Sequence, residues 1–391
     1  MAPPRKRPVE AKAIQGLKHF RQLQPLLARL HEVGTERDRA GNRQLFYDQY
    51  AAFILLFFFN PTLTSLRALQ QASGLANVQK KLGCGRVSLG SLSAAARDFD
   101  AEPLQAIFSE LVAQAGPLKA GKEAEFLKGL TAVDGTLLPA LPKMAWALWR
   151  DDTHRAAKLH LHFDVLKGVP SSATLTAGNG NEKKQLRAVL QAGHLYVYDR
   201  GYVDYQLFQD IIDIGSSFIG RLCSTAVYEV LSDCPLSAEA KKAGVLRDCV
   251  VHLGGEAKGA ALQQPLRIVT VASGKFTPKG QPEPPLLLVT NCLDLDAAWI
   301  ALGYQYRWTV ELFFRWFKCI LGCQHLLSTS QNGVAIQVYL ALIASVLIVL
   351  GTGQKPNRRT FEMLCLYFQG WASERELIDH LKREQAKKAT A

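Results

Sequence analysis

Residues 304–318 read YQYRWTVELFFRWFK, and the rest of the chain is organised around this stretch. On a helix with about 100° per residue, its apolar side chains form one stripe. The opposite face carries one carboxylate among cations and aromatic rings: Tyr304, Arg307, Trp308, Glu311, Arg315 and Lys318. A surface helix with i,i+4 ion pairs would also have such a face, and each pair would contribute only tenths of a kcal/mol. The crowding of several cations around a single acid instead indicates a polyanion held against a metal-binding carboxylate.

Two aspartates each end an apolar segment that has the pattern of a buried β-strand. Asp134 lies in the run 130–136, LTAVDGT, and Asp199 follows the run 194–198, HLYVY. An aspartate after a strand is commonly a turn residue. It is also a suitable metal ligand at the centre of a sheet, because hard divalent cations prefer carboxylate oxygens. The local sequence leaves both interpretations open.

The spacing of four residues in the opening stretch matches a family signature. Tyr304, Arg307, Glu311 and Lys318 follow the pattern Tyr, two residues, Arg, three residues, Glu, six residues, Lys. The sequence therefore resembles the DDE transposases of bacterial insertion sequences, in the insertion-sequence-four family. The run 199–202, DRGY, also resembles the segment that begins at the second aspartate in that family.

The resemblance implies a catalytic and metal-binding triad of Asp134, Asp199 and Glu311. This triad would hold two Mg²⁺ (or Mn²⁺) ions about 3.5–4 Å apart, for cleavage at the element ends and strand transfer into target DNA. The residues expected to contact DNA are cationic or aromatic: Arg200, Tyr304, Arg307, Trp308, Arg315 and Lys318. The expected partners are the terminal inverted repeats and the target DNA, with a homodimer in the DNA complex.

The hydrophobic periodicity predicts a mixed α/β fold. Between residues 127 and 222 it predicts three strands, a helix, a strand, a helix and a strand. This is the element order of a ribonuclease-H-like core, in which Asp134 and Asp199 would lie on adjacent strands. The segment 225–297 has four further strand patterns and reads as a β-rich insertion into that core. The core (126–224) would resume at 298–350 with the Glu311 helix.

Helical patterns precede and follow this core. Residues 1–125 contain several short helices with glycine turns and are predicted to be an all-α DNA-binding domain, which agrees with the family resemblance. Weak candidates for DNA contact in it are Arg86, Ser88, Ser91 and Arg97, and Ser91 is also the expected helix N-cap. Segment 1–16 reads as a basic arm, 116–125 as a linker and 351–391 as a helical tail with a mobile end.

The net charge of +12 over 391 residues indicates a polyanionic partner and favours nucleic acid over a membrane surface. The eight cysteines lack the paired spacing of a zinc site, and we expect reduced thiols in a cytoplasmic, nucleoid-associated bacterial protein. His160 and His162 share one strand face and resemble a metal-binding pair. Without an evident third ligand, packing or hydrogen bonding is the favoured interpretation. The apolar run 334–350 reads as a buried core helix, so no membrane segment is expected.

Two alternative functions remain open on the sequence. A ribonuclease-H-like nuclease that cuts without strand transfer would carry the same acidic triad. A transposase-derived DNA-binding protein that no longer catalyses is the other alternative. The presence of all three acids and of the four-residue signature argues against this second alternative.

Overall fold

The computed structural model describes residues 23–37, 41–141, 143–151, 154–254, 262, 264–274 and 283–389. Segment 1–16, the predicted basic arm, lies outside the described residues. Within the described ranges the fold is mixed α/β, with one large sheet and helices packed on it. The predicted fold class is correct at this level.

The strands are β1 (Leu130–Pro139), β2 (Ala156–Asp164), β3 (Val169–Ala177), β4 (Leu195–Val197), β5 (Ser217–Arg221), β6 (Tyr228–Asp233), β7 (Val245–Leu253), β8 (Leu266–Val271) and β9 (Leu286–Thr290). They form a nine-stranded sheet in the order β3-β2-β1-β4-β5-β9-β8-β7-β6. The neighbours β1 and β4 are parallel, as are β4 and β5, and the other pairs are antiparallel. Strand β9 pairs with β5, so segment 225–297 continues the core sheet.

The helices are α1 (Leu23–Ala28), α2 (Tyr47–Phe59), α3 (Leu66–Ser73), α4 (Ala76–Leu82), α5 (Leu89–Asp98), α6 (Glu102–Gln114), α7 (Lys122–Leu127), α8 (Glu182–Ala188), α9 (Tyr205–Asp213), α10 (Ala238–Lys242), α11 (Ala297–Tyr306), α12 (Trp308–Arg315), α13 (Gln331–Thr352), α14 (Arg358–Phe368) and α15 (Glu374–Ala389). Successive side chains of a strand point to opposite faces of the sheet. On β1, Ala132 belongs to the apolar cluster of α11, α12 and α13, whereas Val133 belongs to the cluster of α8 and α9. Each face of the core sheet is therefore covered by helices.

The N-terminal helices share their core with helix α13. Helices α2, α5 and α6 pack against α13, and one apolar cluster runs through all four. Asn332 in α13 donates from its side-chain amide to the carbonyl of Phe99 and accepts from the Ala101 amide at 3.1 Å. Ser330 Oγ donates to the Ala96 carbonyl at 3.2 Å. Hydrogen bonds and apolar packing thus join the two regions.

Helix α13 is long and apolar enough to cross a membrane, with a mean hydropathy of 2.5 in its most apolar window. However, 89 % of that window is buried inside the protein. The prediction of a buried core helix in this run is correct, because neighbouring helices and β3 cover it.

Two local predictions were wrong. The linker segment 116–125 contains the start of α7, whose Leu127 is fully buried. The N-cap of α5 is Ser88, whose Oγ accepts from the Ser91 amide at 2.9 Å, so the helix begins earlier than expected.

The predicted helical tail is present, and α15 continues to Ala389. Gln385 Nε2 donates a hydrogen bond from this helix to the carbonyl of Thr352 at 3.2 Å.

Candidate active site

Asp134 and Asp199 belong to neighbouring parallel strands. The register pairs Leu130 with Leu195 and Ala132 with Val197, so each aspartate comes two residues after the last paired positions. Both residues are half-buried. Asp199 caps the short 3-10 helix Arg200–Tyr202, and its Oδ1 accepts from the Gly201 amide at 2.8 Å. Asp134 Oδ1 accepts from the Gly135 amide at 2.7 Å.

The stretch 304–318 differs from the single regular helix predicted for it. The α-helical hydrogen bonding is interrupted at Arg307, where the amide bonds the Tyr304 carbonyl at 3.1 Å in a tighter i→i+3 turn. Beyond α12, residues Trp316–Ile320 form a π-helix. The extra residue in that wider turn allows Trp316 and Phe317 to be buried together. Apolar periodicity alone does not reveal either change.

Arg307 lies at the centre of the group that the opening stretch brings together. Its guanidinium contacts the carboxylate of Glu311, and it lies 5.5 Å from the ring centre of Tyr304 and 5.4 Å from that of Trp308. Arg307 and Tyr304 are buried, whereas Trp308 is 46 % exposed. Burial, opposed by the charge of Arg307, raises the pKa of Tyr304. The exposed indole beside a cation is suited to stacking on a base.

Lys318 reaches β1 from the π-helix. Its Nζ donates to Thr136 Oγ1 at 2.8 Å, two residues beyond Asp134 on the same strand face. Helix α12 also packs on β1, and Glu311 is half-buried there. The structure therefore brings Arg307, Glu311 and Lys318 to the same side of the sheet as Asp134.

Asp134 is a half-buried carboxylate with two other acids, Asp199 and Glu182, near it. Burial is the main cause that raises its pKa to about 7, and the charges of Asp199 and Glu182 add to the increase. The Gly135 amide and the charge of Arg307 act in the opposite direction. Negative charges near a carboxylate make it more favourable for that carboxylate to bind a proton or a metal cation.

Two further residues, Glu182 and Lys158, lie beside this site and carry no sequence motif that points to it. Glu182 begins α8, and its Oε1 lies 2.7 Å from Lys158 Nζ on β2. The sequence signal was weak, because Glu182 appears as an ordinary acidic residue in the first turn of an amphipathic helix. Only the pairing of β1 with β2 brings this ion pair next to the residue that follows Asp134.

The remaining predicted DNA contacts are dispersed. Arg200 and Arg315 are exposed, each close in sequence to one of the acidic residues. In the N-terminal region, Arg86 lies between α4 and α5, Ser88 caps α5 and Arg97 lies in its last turn, and all three are exposed. The role of these N-terminal positions stays a prediction.

His160 and His162 are buried on the face of β2 that α8 covers. His160 Nε2 lies 2.9 Å from Thr176 Oγ1, and the ring of His162 packs edge-on against Tyr196. Burial lowers the pKa of each to about 4; the charge of Lys158 adds to the effect on His160, and the neighbouring imidazoles of His194 and His160 add to the effect on His162. These contacts agree with the packing interpretation rather than with a metal site.

Within the part of the chain that the structure describes, no three His, Cys, Asp or Glu side chains are close enough to hold a metal ion together. The chemistry of the acidic donor set nevertheless fits a hard divalent cation, since Asp134 and Asp199 present oxygen ligands on adjacent strands. Glu311 is engaged by Arg307 in this structure and would have to leave that contact to join them.

Residues 125–347 match the family described as Transposase DDE domain. Because this match covers more than half of the chain, the chain belongs to the DDE transposase family, whose members are enzymes that cleave and transfer DNA strands. Named relatives point to mobile elements of bacteria. A putative transposase of Sinorhizobium fredii is 28 % identical over 270 residues, which are 68 % of this chain and 73 % of that protein.

A probable transposase for insertion sequence element IS5377 of Geobacillus stearothermophilus is 24 % identical over 275 residues, 70 % of each chain. Among solved structures, a piggyBac transposase synaptic complex with hairpin DNA has a TM-score of 0.47 and 12 % identity, over 95 % of this chain and 85 % of that chain.

Proposed function

We propose that this transposase binds the terminal inverted repeats of its own insertion sequence, cleaves there, and joins the freed 3′ end to target DNA. The observation that carries the proposal is the register of β1 and β4, which brings Asp134 and Asp199 level on neighbouring parallel strands. The ion pair of Arg307 with Glu311 on the helix packed against β1 supports Glu311 as the third acid. The strand order β3-β2-β1-β4-β5 supports a ribonuclease-H-like core.

Asp134, Asp199 and Glu311 would hold two Mg²⁺ (or Mn²⁺) ions. When bound, such ions supply Lewis acidity at phosphorus and lower the pKa of a coordinated water or hydroxyl. Asp134 is suited to this role because its half-buried carboxylate lies among acidic neighbours, whose charges favour a bound cation. Arg307 is suited to retain the Glu311 carboxylate near the site until cations enter.

The cations around the acids would bind phosphates of the DNA. Lys318, held to β1 through Thr136, would position a phosphate beside Asp134. Arg307 would exchange its contact with Glu311 for a phosphate oxygen, and a guanidinium can bind two such oxygens at once. Trp308 would stack on an unpaired base, and the exposed Arg200 and Arg315 would bind the backbone further out.

The N-terminal helices would recognise the terminal repeats, and Arg86 and Arg97 have the exposure that this role needs. Two protomers would hold the two ends of the element in one complex, and this activity would take place in the cytoplasm on nucleoid DNA. The net charge of +12 supports a nucleic-acid partner.

The test is incubation of the purified full-length protein and Mg²⁺ with a DNA duplex that carries the flanks of its own gene. We expect cleavage at the terminal repeat and, with a target plasmid present, joined products. A scrambled terminal repeat is the control. Cleavage without any joined product would support the simple nuclease instead, and binding without cleavage would support the inactive DNA-binding protein.

A further inference from the structure

The carboxylate of Glu182 occupies a space that Gly135 leaves open, and it also lies beside Gly201. A Cβ atom at Gly135 would lie 2.8 Å from Glu182 Oε1, which is too close for two non-bonded atoms. A Cβ atom at Gly201 would lie 3.6 Å from Glu182 Oε2 and 3.0 Å from Asp199 Oδ1. Gly135 directly follows Asp134, and Gly201 comes two residues after Asp199. The absence of a side chain at Gly135 thus makes room for one additional acid beside Asp134, and Gly201 lies in ordinary contact with that acid.

Lys158 holds this acid in place. The ion pair between Lys158 Nζ and Glu182 Oε1 measures 2.7 Å, and the two side chains are 16 % and 25 % exposed. The Lys158 Cε atom would also lie 3.1 Å from a Cβ at Gly135. Because the pair is largely screened from water, its charges act on their surroundings more strongly than those of a surface salt bridge.

The charge of Glu182 reaches the proposed cation ligands. Glu182 Oε1 approaches the backbone of Gly135, the neighbour of Asp134, and its Oε2 approaches the backbone of Gly201, where Asp199 Oδ1 also lies. Lys158 brings a compensating positive charge to the same place. A substitution that removes one member of the pair leaves the charge of the other uncompensated. Loss of Glu182 would therefore make the electrostatic potential at Asp134 and Asp199 more positive, and loss of the Lys158 charge would make it more negative.

We propose that Glu182 and Lys158 are positioning residues of the active site, which act through Asp134 and Asp199. Glu182 adds a negative charge that draws a divalent cation towards the two aspartates. Lys158 fixes the Glu182 carboxylate and limits the strength of that attraction. This inference rests on the proposed role of Asp134 and Asp199 as cation ligands.

The test uses the full-length protein without DNA and measures Mn²⁺ binding by titration calorimetry. Glu182→Gln leaves Lys158 as an uncompensated cation, and we expect it to weaken Mn²⁺ binding about tenfold. Lys158→Met leaves Glu182 as an uncompensated anion, and we expect it to tighten Mn²⁺ binding severalfold. The double variant should return close to the parent affinity, because the net charge of the pair is again zero.

These opposite directions separate an electrostatic role from a merely structural one. Loss of structure would weaken binding in both single variants, and that result, or no change in either, would overturn the proposal. Glu229→Gln is the matched control, since it removes an exposed carboxylate on β6 at the far edge of the sheet. Thermal melts show whether each variant is folded. If Glu182→Gln does not fold, Glu182→Asp takes its place in the comparison with Lys158→Met, since it keeps the charge.

The Asp134→Asn variant distinguishes failure of this inference from failure of the proposed function. If Asp134→Asn binds Mn²⁺ like the parent protein, the assignment of the cation ligands is wrong. If Asp134→Asn loses Mn²⁺ while the Glu182 and Lys158 variants bind it unchanged, the ligand assignment stands and only the role of the ion pair is wrong.

Discussion

The contact between Arg307 and Glu311 is the i,i+4 ion pair that an ordinary surface helix would form. Its surroundings are different, however. Arg307 is 8 % exposed, and among the described residues its Nε atom has no hydrogen-bond partner. Arg358 and Glu362 on α14 form the same i,i+4 pair with side chains that are 74 % and 54 % exposed. A buried guanidinium with a free donor carries a desolvation cost that a phosphate oxygen could offset.

Glu311→Gln should separate cleavage from binding. The substitution keeps the size of the side chain but removes the charge that a hard cation requires. Arg307, Arg315 and Lys318 remain, so phosphate attraction should remain as well. We expect DNA carrying the terminal repeat to shift in a gel as with the parent protein, whereas Mg²⁺-dependent cleavage falls at least about 100-fold.

Two variants complete this comparison. Glu362→Gln removes the acid of the exposed ion pair on α14 and should leave both activities unchanged. Lys318→Ala removes the hydrogen bond to Thr136 and the proposed phosphate contact but none of the proposed metal ligands, and we expect weaker DNA binding with cleavage reduced about tenfold. Parent-like cleavage by Glu311→Gln would make Glu311 an ion-pair residue only.

At the scale of elements, apolar patterns were sufficient to predict the order of strands and helices between residues 127 and 222 and the four strands of segment 225–297 that the described residues form. Period-two patterning is local, so a strand can be read without knowledge of its neighbours. The turn at Arg307 and the π-helix could not be predicted, because they depend on which apolar side chains of the helix pack against the sheet. Glu182 was missed for a similar reason, since it approaches Asp134 only through the pairing of β1 and β2.

Strand β2 provides a prediction on acid stability. The pKa of His162 is about 4 in the folded protein, below the ordinary value of 6.5, because the ring is buried. The unfolded chain therefore binds more protons between these two pH values, so stability is lost as the pH falls through that window. The contribution of one such group approaches about 1.4 kcal/mol per pH unit.

His162→Phe should reduce this acid sensitivity, because phenylalanine fills much of the same space without a titratable nitrogen. We expect the urea midpoint of the variant to fall less than that of the parent between pH 6.5 and pH 4.5. His325→Gln, which removes an exposed imidazole, is the control. Equal losses in the parent and in His162→Phe would show that burial of His162 does not determine acid stability.

At the scale of the whole molecule, the continuous sheet and the shared core connect regions that the sequence reads as separate. Composition and periodicity indicate where elements change type, but they do not report which faces meet. The β-rich segment 225–297 joins the core sheet through β9, and the N-terminal helices join it through α13. Both connections are long-range contacts, which single-sequence patterns do not encode.

The packing on α13 predicts that the N-terminal helices will not fold well alone. A fragment ending at residue 125 would expose the apolar faces of α2, α5 and α6 and would lose the hydrogen bonds that Asn332 and Ser330 make to its backbone. An exposed apolar surface of this kind favours aggregation over a cooperative fold. We expect the fragment to melt without a sharp transition and to bind unrelated DNA as well as the terminal repeat.

The full chain should behave differently, and the Glu311→Gln variant allows its binding to be measured without cleavage. We expect the full-length variant to prefer the terminal repeat over unrelated DNA. The logarithm of its binding constant should fall linearly with the logarithm of the salt concentration, because phosphate contacts release counterions. Circular dichroism and gel shifts over a salt series provide the measurements. If the fragment melts cooperatively and matches the affinity and preference of the full chain, α13 is not needed and the N-terminal helices are an independent DNA-binding domain.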